Sequence, residues 1–575
     1  MAERSTSVVN SIERLTLADT ITGMTGSAPD CPKSARQDVV GALVTLIQSC
    51  EAMCTHAQQA KALVEVTHAP SVQGIVKLSD LRRRTITLAR ITEIISDATE
   101  RYILSYITSL AGPGSLAQKM LPHYTTELRS IVRDVLNSTE DDRNVLRETL
   151  EMCYGQALHT SGALHSDNYL IPLGEASLEW PYDPDFESED YYEHENRLDI
   201  DYRYAEAFRV QCERKCDNER RENEEWIRFW VQALGQCPDG PTLFYSPASQ
   251  LTYPAVPRYL FRAFDNESSG RNDQYVVASA ESISAMPLRS RVDLLSRTTG
   301  EITQMLYSHL TKSCFGGKDT DNLMSWSSSL LFVLQYAIWR CHQRRCGPTE
   351  IQICTIDTRK FPRGQFARDM SLLRAYREAP ELDNKTRSFF KFRLENSYYD
   401  NGEYLSQGTL HHAGRSSTEC LFQLIQKGLH DLYPEFAETT AMSSWTNRVG
   451  SLRTAWSIEH PTTSLDIVRA VEIARACFKK IDTPDIALLL LSFKNRKLRG
   501  PVQEGKFRIP LVEVAKQIFW KGQEHRRNYD DCGPDEVQRY MTNADRMMSK
   551  GRENLTPLSW LTSNCQLLEG VFECS

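Results

Sequence analysis

The sequence predicts an α+β multi-domain protein, with a helical N-terminal bundle and a helical C-terminal region on either side of a mixed α/β core. Three observations predict it. Apolar residues recur at helical spacing from about residue 36 to 157. Between about 240 and 415 that spacing gives way to short β-branched and aromatic runs alternating with helical ones. After 416 the helical period returns and holds through most of the remaining chain.

The elements follow in chain order. Residues 1–35 are rich in Ser, Thr and Gly, lack apolar periodicity, and read as a disordered tail. In the bundle, 36–157, Val39, Val40, Leu43, Leu46, Ile47 and Cys50 fall on one helical face. "LARITEIISDATERYILSYITSL" repeats the period and stops at "AGPG". Two more helical runs complete an antiparallel four-helix set. Residues 158–203 read as an acidic linker that could dock a basic partner, carrying "EWPYDPDFESEDYYEHENRLDID". Residues 204–236 read as a long helix with a charged middle, anchored at Trp226, Ile227 and Trp230. In the α/β domain, 240–415, "RYLFRAF" and "TEIQICTIDT" read as strands. "RVDLLSRTTGEITQMLYSHLTKS" and "SSLLFVLQYAIWRCHQR" read as helices. The C-terminal region, 416–575, reads as helices beginning with "STECLFQLIQKGLHDLYPEF" and including "PLVEVAKQIFW" and "VQRYMTNADRMMSK".

Composition excludes several functions. The chain has 575 residues and a net charge of -8, which argues against broad electrostatic binding of nucleic acid. The basic stretches "LRRR" (81–84) and "KNRKLR" (494–499) each read as a solvated helix end or loop. None of the 16 cysteines forms a C-x-x-C pair, so no metal is expected and the thiols read as reduced. The start carries no apolar signal-peptide core, and "SLLFVLQYAIW" and "DIALLLLSF" are too short to span a bilayer. The expected setting is intracellular, in the cytoplasm, away from membranes. No G-x-S-x-G or G-x-x-x-x-G-K-[ST] occurs, which removes the common serine hydrolase and P-loop readings.

Three stretches carry candidate chemistry. Arg262 stands inside the apolar strand "LFRAF". An arginine there needs an internal carboxylate, with Asp357 or Glu403 as candidates, or an anionic ligand. In "SWSSSLLFVLQYA" Ser328 or Ser329 reads as a helix N-cap, while Ser325 and Ser327 alternate along the preceding strand, where hydroxyls can orient a polar ligand. In "DNGEYLSQGTL" a turn delivers Glu403 at the head of a strand. His309 reads as a helix-end group, and His411-His412 lack a third ligand at metal spacing.

Arginine, Ser-x-Ser and glutamate, in this order, resemble the R-S-E arrangement of ADP-ribosyltransferases. The wording over roughly 255–415 also resembles a fungal domain family of unknown function. The resemblance implies an ADP-ribosyltransferase-like core that binds NAD. Arg262 would then hold the dinucleotide phosphates, and Ser325 and Ser327 would line the nicotinamide pocket. Glu403 would stabilise the oxocarbenium-like transition state as the glycosidic bond breaks. Asn401 stands where the family places an acceptor-directing acid or glutamine, and Trp326 where it places a small threonine. The expected function is ADP-ribose transfer or NAD cleavage. The alternative is a catalytically inactive interaction or scaffold protein of the same fold.

Overall fold

The computed structural model describes residues 71–139, 142–170, 202–245, 256–284, 289–311, 321–344, 346–438, 445–497 and 533–552, with scattered positions in 45–62. The tail 1–35, most of the acidic linker and the run 510–520 lie outside the described residues. The chain divides into two units, residues 1–99 and 100–575.

The first unit is described chiefly by helix α1 (Val72–Ser109), which runs on across the boundary. Its residues Ile75, Val76, Ile86 and Ile94 are exposed.

The second unit begins with the last turns of α1. It continues through α2 (Leu116–His123), α3 (Thr125–Ser138), α4 (Val145–Leu158) and α5 (Tyr202–Gln236). Ile107, Met120, Val132, Leu150 and Ala157 form one core with Trp226 and Trp230 from the end of α5. The indole N–H of Trp226 donates to the Leu164 carbonyl at 2.8 Å, so the buried ring leaves no polar atom unpaired. The charged stretch of α5 is solvated and laced by intrahelical pairs such as Arg220–Asp217, 2.7 Å.

The mixed domain then alternates strands and helices. In order they are β1 (Tyr259–Phe264), β2 (Arg271–Asn272), β3 (Val276–Ala278), α6 (Thr299–Leu310) and β4 (Leu323–Ser327). Next come α7 (Leu330–Arg344), β5 (Gln352–Asp357), β6 (Ala367–Arg368), α8 (Asp369–Tyr376) and α9 (Asn384–Glu395). β7 (Glu403–Gln407), β8 (Thr409–His411) and β9 (Ser416–Cys420) close the domain. Two expectations are corrected here. The helix expected over 291–313 starts only at Thr299, because Thr298 and Glu301 form a reciprocal capping box. The helix expected to begin at 417 starts at Leu421, because Ser416–Cys420 pairs with β5 as an edge strand.

Strands β6-β7-β4-β1-β5-β9 form a six-stranded antiparallel sheet, and β2-β3-β8 a smaller one. Gly408, at φ 71, carries the chain from β7 in the large sheet to β8 in the small one. One face of the large sheet meets the small sheet through Leu260, Met324, Trp326, Cys354 and Ile356 against Val277 and Leu410. The other face is covered by helices. Leu323 and Leu405 pack with Ile302, Leu306, Leu373 and Phe390 of α6, α8 and α9. Tyr259, Phe261 and Ile353 pack with α7 and with the helices that follow.

Those later helices are α10 (Leu421–Gln426), α11 (Leu429–Leu432), α12 (Trp445–Ala455), α13 (Ser464–Cys477), α14 (Thr483–Leu491) and α15 (Asp535–Arg552). The short strands β10 (His460–Pro461) and β11 (Arg496–Lys497) pair in parallel beside them. Gly428, at φ 101, separates α10 from α11, a backbone state that a side chain would strain. Every residue of α14 from Pro484 to Leu491 is buried, which explains its continuous apolar sequence.

Candidate functional site

The site is built where β1 and β4 part. These strands share one registered pair, Phe261 with Ser327, whereas β1 and β5 share six. Beyond that pair the Ser325 carbonyl has no β1 partner, and the Arg262 guanidinium supplies one: Nη1 donates to Ser325 O at 2.7 Å. Its Nε donates to Asn272 Oδ1 at 3.1 Å. Burial pulls the Arg262 pKa below its ordinary value, yet an arginine stays protonated.

Neither acid weighed as a partner takes Arg262. Asp357 pairs with Arg359, at 2.8 Å, and lies 3.8 Å from Arg258. Nearby Asp265 is held by Arg340 through contacts of 2.6 and 2.5 Å. Among the described residues no carboxylate lies within salt-bridge distance of Arg262. Among the described residues its hydrogen-bond acceptors are the neutral oxygens of Ser325 and Asn272.

Ser325 is the hub. Its hydroxyl donates to Glu403 Oε1 at 2.7 Å. The ring of His309, on α6, sits between Asp321 and Ser325, with Nδ1 at 2.9 Å from Asp321 Oδ2 and Nε2 at 2.9 Å from Ser325 Oγ. His309 is thus no helix-end surface group, and the expectation is corrected: its side chain is 8% exposed and joins two carboxylates through a serine. A hydroxyl has one proton. When Ser325 donates to Glu403, His309 Nε2 must donate to Ser325. In that arrangement His309 and Ser325 both donate toward Glu403, with Asp321 beside the far ring nitrogen.

Glu403 stands at the head of β7, and its second oxygen lies 3.4 Å from Arg393 Nη2. Arg393 also pairs with the buried Asp369. Burial is the main force raising the Asp369 pKa, to about 6, against the pull of Arg393. The Glu403 side chain is 21% exposed, so it reaches solvent while its direction is fixed.

Ser327 does a different job. Its hydroxyl donates to the Asn401 carbonyl at 2.7 Å and accepts from Ser329 N–H at 2.9 Å. Ser328 N–H donates to the Gly402 carbonyl at 2.9 Å, and Ser329 caps α7 by accepting from Phe332 N–H at 3.0 Å. The serine run thus pins the turn that delivers Glu403. Gly402 sits at φ 61, and a Cβ there would come within 2.1 Å of Ser328 Oγ. Asn401 is buried and its Oδ1 accepts from Arg453 Nη1 at 3.3 Å. Arg453 is paired in turn with Glu536 of α15 at 2.9 Å, and Glu536 also accepts from Ser329. Trp326 points to the opposite face, its indole N–H donating to Ser406 at 2.8 Å.

Arg262, Ser325 and Glu403 are therefore brought together, with Ser325 as the shared partner, and Ser327 supports them from the turn. His309 and Asp321 complete the set. The only local trace of His309 in the sequence was a histidine in the last turn of an amphipathic helix. Among the described residues no group of three or more His, Cys, Asp or Glu could hold a metal, and no helix is long and apolar enough to cross a membrane.

Residues 255–413 match the family model of a domain of unknown function, DUF7587. The matched span contains Arg262, His309, Asp321, Ser325, Ser327 and Glu403. No curated protein and no solved structure matches the chain.

Proposed function

We propose that the mixed domain binds NAD and cleaves its nicotinamide–ribose bond, with an ADP-ribosyltransferase-like set of residues. The observation that carries this reading is the hydrogen bond from Ser325 to Glu403, made on a residue whose carbonyl is held by Arg262. In the reading, the C–N bond breaks heterolytically and nicotinamide leaves with the electron pair. The ribose becomes oxocarbenium-like. Glu403, fixed by Ser325 and partly desolvated, offsets that charge more effectively than a mobile solvated acid would. Arg262, a cation without a carboxylate partner, faces the diphosphate. Water then adds its oxygen to the ribose carbon. Its proton passes to Glu403, whose side chain reaches solvent and releases it there.

Water is favoured over a protein acceptor by one observation. Asn401, at the acceptor-directing position, is buried and engaged by Arg453, so it cannot orient an incoming nucleophile. A second reading, an inactive interaction protein, is favoured by the engagement of both Glu403 oxygens, with Ser325 and with Arg393.

The test is release of nicotinamide from NAD by the full chain, with Glu403→Gln beside it. The expected loss is at least about 100-fold, the scale of one preorganised electrostatic group. Equal turnover by the variant removes Glu403 from the chemistry. No release from the wild type, together with no NAD-dependent rise in Tm, establishes the inactive reading.

A further inference from the structure

A cavity of about 580 Å³ lies among the start of β1, the end of β5 and the α13–α14 junction. Among the described residues its walls carry Arg258, Arg359, Lys360, Arg475 and Lys480, against two carboxylates, Asp357 and Asp482. The carboxylates are already spoken for. Asp357 is paired with Arg359 at 2.8 Å, and Asp482 lies 3.6 Å from Arg258. Arg258 pairs more closely with Asp485, behind the wall.

The lysines are not neutralised in this way. Lys360 Nζ donates to a neutral acceptor, the Gly414 carbonyl, at 3.2 Å. Lys480 has no carboxylate within 4.0 Å among the described residues, and its backbone is held at φ 70, a state that only a few non-glycine residues adopt. The N-terminus of α14 opens onto the same space. No side chain caps it, and Thr483 and Pro484 line the cavity. Its dipole adds partial positive charge. Gathering like charges around a void lowers stability unless an anion offsets them.

We propose that this cavity binds a compact anion carrying two or more phosphate groups. The volume suits a small molecule. Among the described residues the lining holds no aromatic ring, and its apolar residues are Val471, Ile481 and Pro484. That distinguishes it from a nucleotide pocket and sets it apart from the site at Glu403. The two share strand β1, Arg258 preceding it and Arg262 lying within it.

Sodium pyrophosphate is the probe, titrated into the full chain by calorimetry and thermal unfolding, with sodium sulfate at equal ionic strength as reference. Pyrophosphate is expected to raise Tm beyond sulfate. Lys480→Gln and Arg475→Gln are expected to weaken its binding at least about tenfold each, a loss of ~1.4 kcal/mol. Without ligand, Lys480→Gln is expected to match or exceed the wild-type Tm, which guards against a mere folding defect. Glu403→Gln and Arg262→Gln are expected to bind pyrophosphate as the wild type does. Binding lost in those two and kept in Lys480→Gln would place the anion at the other site and overturn the proposal, as would no response beyond sulfate. Vesicles containing phosphatidylinositol bisphosphate distinguish the source. Capture that pyrophosphate reverses assigns the phosphates to a lipid headgroup; pyrophosphate binding without capture assigns them to a free anion.

Discussion

Strand β1 has two neighbours, and its two seams differ in kind. Toward β5 the pairing runs the whole strand, six pairs from Tyr259–Asp357 to Phe264–Gln352, and the side chains beneath it are Leu260, Cys354 and Ile356. Toward β4 it stops after one pair, and the side chains that meet there are Arg262, Ser325, His309 and Glu403. The closed seam satisfies its backbone internally and can be apolar. The open seam leaves a carbonyl that a side chain must satisfy, and the group that does so is a cation. A polar site thus costs the sheet little, because the ladder has already ended where the chemistry begins.

The contrast can be broken by mutation, beginning with the largest effect. Ile356 is fully buried under the closed seam. Ile356→Ala is expected to lose about 2–5 kcal/mol in urea unfolding, the usual range for a buried aliphatic truncation, and to leave nicotinamide release per folded molecule unchanged. Release falling in step with stability would show that the two seams are not separable.

His412 tests the closed side by pH. It is fully buried, 4.0 Å from Cys354, with Nε2 at 3.0 Å from the Asp273 carbonyl and Nδ1 at 2.6 Å from Ser416 Oγ. Burial pulls its pKa from 6.5 down to about 4. The unfolded chain therefore takes up this proton first as pH falls. The stability contribution is complete above pH 6.5 and declines toward pH 4, by about 3 kcal/mol at 1.36 kcal/mol per unit of pKa. His412→Asn is expected to flatten the acid limb by that amount. Curves that stay parallel from pH 7 to 4 would refute the assignment.

The smallest stability effect belongs to the open side. Ser325→Ala is expected to cost only about 1 kcal/mol of stability, since the hydroxyl is partly exposed. If the proposed reaction holds, it should lower nicotinamide release about tenfold by freeing Glu403. A large loss of stability with unchanged turnover would reverse the comparison, making the open seam structural.

What the sequence disclosed follows the range of the forces involved. β1, β4, β5 and β7 were legible because alternation and β-branched runs are local, and so was the Asp400-Asn401-Gly402 turn. Arg262, Ser325 and Glu403 could be singled out because each breaks a local pattern. The partnership of His309 could not, because it depends on α6 lying across β4, which no local signal states. Ser325 and Ser327 looked equivalent by alternation. Only the pairing of β4 with β7 separates them, setting Ser327 opposite Glu403, where its hydroxyl turns to the Asn401 carbonyl. Ser416–Cys420 was hidden for a similar reason: an edge strand with few apolar residues carries little periodicity. The basic cavity was invisible because its cations come from positions 258 to 480, each unremarkable alone.

The grip of Glu536 on Arg453 and Ser329 reaches beyond local packing. The bend that presents Glu403 leans on a helix that begins more than a hundred residues downstream, and Pro534 closes over Gly402. The stretch recognised as a domain is thus shorter than the body that shapes it. Cut out alone, it would bare the underside of its own hinge, and evolution cannot freely trade the late helices without loosening the acid they brace.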